Sequence, residues 1–289
     1  MLLALLKTMR PNQWTKNAAI FAALIFDEKL FKPESLIRTF FGFGLLCMVA
    51  GTVYIFNDLV DAEKDKLHPK KKYRPIASGT LDKNVAIGAA IGIPAVVLPL
   101  SFWLNPIFGG LMTFYLLMQL AYSFKLKNVV IIDVMTIAAG FVIRVGAGVS
   151  LIEVARFSPW LYVCTTLLAL FMGLGKRRQE LVLVENGIKN TREILTHYSL
   201  KFIDDMIIIV AASTVMAYSL YTFSAPNIPD NHTMMLTIPF VIYGLFRYMY
   251  IIHIQGGSGE PSEVLLQDRG IQATVVLWGL SAVGILYFF

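Results

Sequence analysis

Residues 57–65 read NDLVDAEKD, and the acids within them are the clearest candidates for chemistry in the chain. Asp58, Asp61 and Asp65 are three and four residues apart, so on a helix they share one face, with Asn57 one turn before Asp61. Carboxylates packed that closely repel one another unless a cation lies between them, and hard oxygen donors of this kind suit Mg²⁺ completed by water and phosphate oxygens. A carboxylate-held Mg²⁺ points in turn to a diphosphate substrate. Bases follow at once, at Lys70, Lys71, Lys72 and Arg74, then Pro75 and the small residues Ala77, Ser78 and Gly79, which let backbone approach a ligand. The acids would hold a metal and the bases phosphate. The plainer reading is a solvated helix end followed by a loop that is basic only because cytoplasmic loops are. Against it, acids at a helix C-terminus oppose the helix dipole and need compensation.

The elements that must position these residues are apolar. Of 289 residues 56% are hydrophobic and only 15% charged, far from the balance of a soluble domain. Between Asn84 and Phe124 there is no charged side chain, and Asn105-Pro106 breaks that stretch into a transmembrane hairpin. The same length test gives spans near 14–28, 40–57, 84–104, 107–124, 129–151, 158–175, 205–224, 233–253 and 271–288. The expected fold is an all-α integral membrane protein of nine transmembrane helices, forming a single membrane-embedded domain over 1–289. The first span is the shortest in apolar residues and contains Lys16, so a count of eight stays open.

Charge then sets the orientation. With the N-terminus in the cytoplasm, nearly all bases fall inside, leaving Lys29, Lys32, Arg38 and Arg156 outside and Arg144 within a span. The net charge of +6 is therefore a property of the cytoplasmic face, matched to an anionic leaflet or an anionic substrate, and no nucleic acid partner is expected. The opening MLLALL is too short for a secretory signal and reads as an interfacial helix. Cys47 and Cys164 stand alone in spans and the four histidines are scattered, so no zinc or haem site is expected. The segment from Gly175 to Asp205 is a second cytoplasmic loop whose short helix could cover a site, and Asp204 and Asp205 suit the start of the next span. GGSGEPS at 256–262 lacks the Lys-Ser/Thr of a nucleotide loop and reads as a turn.

NDxxDxxxD after an apolar second helix resembles the UbiA-type polyprenyltransferase superfamily, whose members use Asp-bound Mg²⁺ to activate a diphosphate donor. Three further stretches look like its decaprenyl-phosphate phosphoribosyltransferase branch: Met9-Arg10-Pro11-Asn12-Gln13-Trp14-Thr15-Lys16-Asn17, His68 to Gly79, and GKRRQEL from Gly175 to Leu181. The resemblance covers nearly the whole chain, with Met9 where Leu is expected. It implies a UbiA-like bundle and transfer of 5-phosphoribose from phosphoribosyl diphosphate to a polyprenyl phosphate, releasing pyrophosphate. It also makes Lys16, Asn17, Asn57, Lys71 and Arg74 substrate-binding candidates.

Charge agrees with that branch, because phosphoribosyl diphosphate and a lipid phosphate bring more anions than a prenyl diphosphate, each phosphate adding about 1.5 to 2 negative charges. Bases gather at Lys16, at Lys71 and Arg74, at Lys125 and Lys127, and at Lys176, Arg177 and Arg178, of which adjacent residues cannot all face one ligand. The superfamily's second acidic motif is reduced here to Asp133, preceded by Tyr122, Lys125 and Lys127, which favours a donor gripped partly by lysine. Asp133 and Arg144 are eleven residues apart, on one face of the fifth span, and ionisable groups inside a membrane are functional candidates. Two other readings stay open: a prenyltransferase moving an isoprenoid from its diphosphate to an aromatic or other polar acceptor, and a transporter.

Overall fold

The computed structural model describes residues 1–67, 71–152, 158–186, 193–226, 228–256 and 261–288, and the described residues are helical with no strand. Lys70, His68, Arg156 and most of the 256–262 turn lie outside them. The α-helices are Leu2–Thr8 (α1), Ala22–Phe26 (α2), Pro33–Val60 (α3), Ala62–Lys66 (α4), Lys83–Leu104 (α5), Pro106–Phe124 (α6), Ile132–Leu151 (α7), Pro159–Glu185 (α8), Leu200–Ser224 (α9), Ile238–His253 (α10), Pro261–Gln267 (α11) and Arg269–Phe288 (α12). Eight helices among the described residues are long and apolar enough to cross a membrane, at the positions of eight of the nine expected spans.

The first expected span takes another form. Pro11–Phe21 is a 3₁₀ helix of 11 residues, and the 5 residues of α2 continue it. At about 2.0 Å per residue in the first part and 1.5 Å in the second, the pair covers about 30 Å, but it is not one of the eight helices long and apolar enough to cross a membrane.

Contact clustering divides the chain into two compact units: Met1–Leu24, Lys29–Phe124 and Ile143–Glu153 form one, and Ile25–Glu28, Lys125–Val142 and Val154–Phe289 the other. The first is built around α3, whose apolar stretch is the most buried of the eight spans, with α5, α6 and the 3₁₀ helix packed on it. Its core interleaves Leu46, Val49 and Val53 with Phe108, Met112, Ile20 and Leu151. Asn105 makes the α5–α6 corner by accepting from the backbone N–H groups of Ile107 and Phe108 (2.8 and 3.1 Å), the expected breaker acting as a helix cap. In the second unit α8 and α9 form the largest contact, and α10 and α12 pack together. Ile203, Ile207, Phe171, Leu245 and Ile252 are buried in its core.

Length positions the polar ends. α3 has 28 residues and α8 has 27, so each runs about 40 Å against an apolar bilayer core of about 30 Å. The surplus carries Asn57 and Asp58 in α3 and Lys176 to Glu185 in α8.

Gly148 on α7 fixes one close approach, because a Cβ there would fall on the Ile20 carbonyl oxygen of the 3₁₀ helix. Backbone cannot rotate aside as a side chain can. Gly148→Ala is expected to cost about 1–3 kcal/mol, the usual penalty of overpacking, read as a lower unfolding midpoint in detergent. Gly44→Ala, where a Cβ meets open space, is the control.

Candidate active site

The acid cluster lies where α3 gives way to α4. Asp61 ends α3 with φ −90° and ψ 1°, its N–H still bonded to Asn57 O, and Asp65 N–H returns to Asp61 O at 2.8 Å. The break separates the three acids. Asp58 and Asp65 are buried, 2% and 3% exposed, whereas Asp61 is half-buried and its carboxylate has no hydrogen-bond or ion-pair partner among the described residues. Buried carboxylates need paired charge, and two arginines provide it. Arg10 Nη2 donates to Asp58 Oδ1 at 2.6 Å. Arg74 Nη1 donates to Asp58 Oδ1 at 3.1 Å and to Asp65 Oδ2 at 2.7 Å.

Each arginine is delivered by a shaped segment. Arg10 has φ 52°, turning the chain between α1 and the 3₁₀ helix, and its guanidinium lies over the Tyr54 ring at 4.8 Å. Met9, beside it, is buried with Ile55, Ala62, Ile76, Leu81 and Ala86. That same cluster anchors the RPIASG loop through Ile76 and Leu81. Ser78 N–H bonds Arg74 O at 2.8 Å, and Gly79 closes the turn at φ 78°, where a side chain would be strained. Glu63, exposed nearby, is held by Lys66 and Lys83 at 2.8 and 2.9 Å, which pull its carboxyl down to about 2. Lys16 and Lys71 are half-buried, Lys72 lies over Tyr73, and Tyr122 is half-buried near the end of α6.

A second polar centre of the first unit is sealed. Arg144 donates to Asn17 Oδ1 and to Tyr115 Oη, each at 2.8 Å, and also lies over the Tyr115 ring. Asn17 Nδ2 donates to Cys47 Sγ at 3.3 Å. Asn17 is 1% exposed and Arg144 8%. Two residues expected at a substrate therefore bind each other, joining the 3₁₀ helix to α7. Cys47 packs as expected.

In the second unit Asp133 is fully buried and pairs with Arg177 Nε at 2.5 Å, not with Arg144. Arg177 also reaches Glu180. The Tyr198 hydroxyl donates to Asp133 Oδ1 at 2.8 Å and accepts from the Ile131 N–H at 2.7 Å. Ile131 has φ 69°, a strained conformation for a β-branched residue that costs about 1–3 kcal/mol and is held by that bond. Arg178 donates to Asp204 at 2.7 Å and to the Ile252 carbonyl, and His253 faces the same carboxylate at 3.3 Å. Asp204, expected only to suit a helix start, is thus the anchor of a structural ion pair. Of the 176–178 bases, Arg177 is sealed against Asp133 and Arg178 is paired across α8, α9 and α10. Lys125 is exposed and Lys127 half-buried around the short 3₁₀ helix Leu126–Asn128. The sequence reading did not select Arg10, Tyr115, Glu180 or Tyr198, although Arg10 stood in the quoted N-terminal stretch.

Burial pushes the Tyr198 hydroxyl up to about 12, with its bond to Asp133 acting in the same direction. A group whose folded pKa exceeds its unfolded value of 10.0 stabilises fully below 10 and loses that contribution as pH rises through 12. Tyr198→Phe should lower stability by about 1–2 kcal/mol at neutral pH, the Asp133 oxygen being left short of a donor, and should flatten the loss between pH 10 and 12 relative to wild type in denaturation monitored by circular dichroism.

The model of the UbiA prenyltransferase family matches residues 18–262. The chain belongs to the UbiA prenyltransferase family. It is 31% identical over 299 residues to the decaprenyl-phosphate phosphoribosyltransferase of Mycolicibacterium smegmatis, covering 99% of this chain and 92% of that protein. The enzyme of the same name from Mycobacterium tuberculosis is 31% identical over 277 residues, covering 94% and 90%. Among solved structures, a UbiA homolog from Archaeoglobus fulgidus bound to DMAPP and Mg²⁺ has a TM-score of 0.73 at 17% identity, covering 99% of both chains. That likeness shows the fold, and with eight candidate spans the UbiA-family chain is a multi-pass membrane protein.

The acid cluster can be tested against a metal. Among the described residues no three His, Cys, Asp or Glu side chains close on one point. Asp58 and Asp65 nonetheless aim carboxylate oxygens at one position, and Arg74 Nη1 stands in it as a cation. One or two carboxylates, completed by water and phosphate oxygens, are the donor set Mg²⁺ takes. The residues fit the ion once the guanidinium turns away.

Proposed function

We propose that this UbiA-family protein is a Mg²⁺-dependent polyprenyl-phosphate phosphoribosyltransferase, transferring 5-phosphoribose from phosphoribosyl diphosphate to a polyprenyl phosphate and releasing pyrophosphate. The observation that carries the reading is the similarity to enzymes named for that acceptor over nearly the whole of both chains. The charge pattern supports a site on the cytoplasmic face of a plasma membrane, with the N-terminus inside.

Asp58, Asp61 and Asp65 would hold Mg²⁺, which when bound neutralises the leaving diphosphate. Arg74 and Lys71 grip phosphate oxygens, the arginine in bidentate fashion, while Arg10 stays on Asp58. Lys16, in the same unit, is assigned to a further phosphate, and Lys125, Lys127 and Lys176 stay candidates from their charge in the sequence. A phosphate oxygen of the lipid forms the new bond to ribose C1 as the C1–O bond to diphosphate breaks. The acceptor is already anionic, so positioning matters more than a general base. Exposed apolar side chains of the spanning helices provide surface for an isoprenoid tail.

The test offers purified protein in detergent Mg²⁺, a polyprenyl phosphate and labelled phosphoribosyl diphosphate, and follows label into the organic phase with EDTA as control. EDTA-sensitive label in the lipid is the expected result. Label remaining in water while a prenyl diphosphate is consumed in a parallel reaction would replace this reading with prenyl transfer.

A further inference from the structure

We infer that Arg74 is a placeholder cation, which keeps Asp58 and Asp65 closed to a divalent metal until a diphosphate draws it away; the inference rests on the proposed Mg²⁺ and diphosphate chemistry. One nitrogen, Nη1, donates to both buried carboxylates, at 3.1 and 2.7 Å. With Arg10 on Asp58, the two buried carboxylates meet two guanidiniums and are balanced without a metal, leaving only the charge of half-buried Asp61 beside them. A divalent ion entering alone would meet an arginine in its own position, and like charges at that distance exclude one another.

The two arginines differ in their freedom to leave. Arg10 is stacked on Tyr54 and set by a left-handed backbone position. Arg74, about as exposed as Arg10 (26% against 30%), has no ring stacked on it among the described residues, and its loop is pinned by Ser78 N–H to Arg74 O, by Leu81 N–H to Pro75 O and by buried Ile76 and Leu81. Its exchange from carboxylate to phosphate therefore needs a side-chain rotation, with the loop in place. Phosphate oxygens match the guanidinium fork as well as carboxylates do, so the diphosphate that brings the metal also accepts the arginine. Metal and diphosphate then bind cooperatively, and by linkage each strengthens the other. The cluster is thereby kept from holding a metal with no donor present.

The test uses full-length protein in detergent and Mn²⁺ as the metal probe. Free Mn²⁺ is measured by electron paramagnetic resonance without phosphate, and bound labelled pyrophosphate by equilibrium dialysis with Mn²⁺ in excess. Wild type should bind Mn²⁺ alone weakly, and Arg74→Gln should bind it about tenfold or more tightly, a common size for coupling between two sites, while binding Mn²⁺-pyrophosphate more weakly than wild type. Arg74→Lys keeps the charge and gives the second reading should the glutamine variant not fold: its single ammonium cannot hold both carboxylates as the guanidinium does, so it should bind Mn²⁺ more tightly than wild type. Equal Mn²⁺ affinity in wild type and variants, with Mn²⁺-pyrophosphate still bound by wild type, overturns the placeholder and leaves the proposed function standing. Absence of Mn²⁺-pyrophosphate binding in every form overturns both.

Discussion

Asp61→Ala should purify folded, with the unfolding midpoint of wild type, and lose phosphoribosyl transfer by about a thousandfold, the upper range for removing one electrostatic contact to a transition state. The separation of effects follows from the geometry. Asp61 is half-buried at the α3–α4 break and its carboxylate has no partner among the described residues, so alanine removes no bond and leaves no charge stranded. Asp58→Ala would lose turnover too, but it would also take from Arg10 its carboxylate partner, leave Arg74 only Asp65 and cost stability. The pair distinguishes a metal ligand from a structural acid. Full activity in Asp61→Ala would remove that residue from the metal site and leave Asp58 and Asp65 as structural partners of the arginines.

The largest loss of stability is expected at Asp133. Its carboxylate is wholly buried and binds Arg177, itself 0% exposed, and Tyr198. Asp133→Ala leaves a buried guanidinium with Glu180 as its remaining carboxylate, and breaking a buried pair from one side typically costs about 3–5 kcal/mol. Replacing both partners, as Asp133→Leu with Arg177→Met, should recover most of that loss, because apolar residues of similar volume carry no desolvation cost. Unfolding midpoints of the three proteins in one detergent decide it. A double variant no more stable than Asp133→Ala would show that the pair does more than neutralise itself.

How much was legible before folding can be judged residue by residue. The spans could be read because lipid imposes one rule on every spanning segment, long apolar helices with internal backbone bonds, and that rule acts on local sequence. Eight helices follow it. The segment 14–28 does not, since its pitch is set by what it packs against, with Asn17 drawn to Arg144 and Cys47 and Ile20 pressed on Gly148. Spacing placed Asp58, Asp61 and Asp65 on one ideal helix face, and the break at Asp61 divided them. The spacing put Asp133 and Arg144 on one face of α7 as functional candidates, and each binds across to another element.

The sequence by itself determined the solvent, the helices, the family and the acids followed by bases, because each is written in composition or in a short local motif. Only the tertiary structure decided which charges meet. Arg10 reaches Asp58 across 48 residues, Arg177 reaches Asp133 across 44 and Arg144 reaches Asn17 across 127. A buried charge takes whichever opposite or polar group packing brings within 3 Å, and no periodicity along the chain encodes that choice.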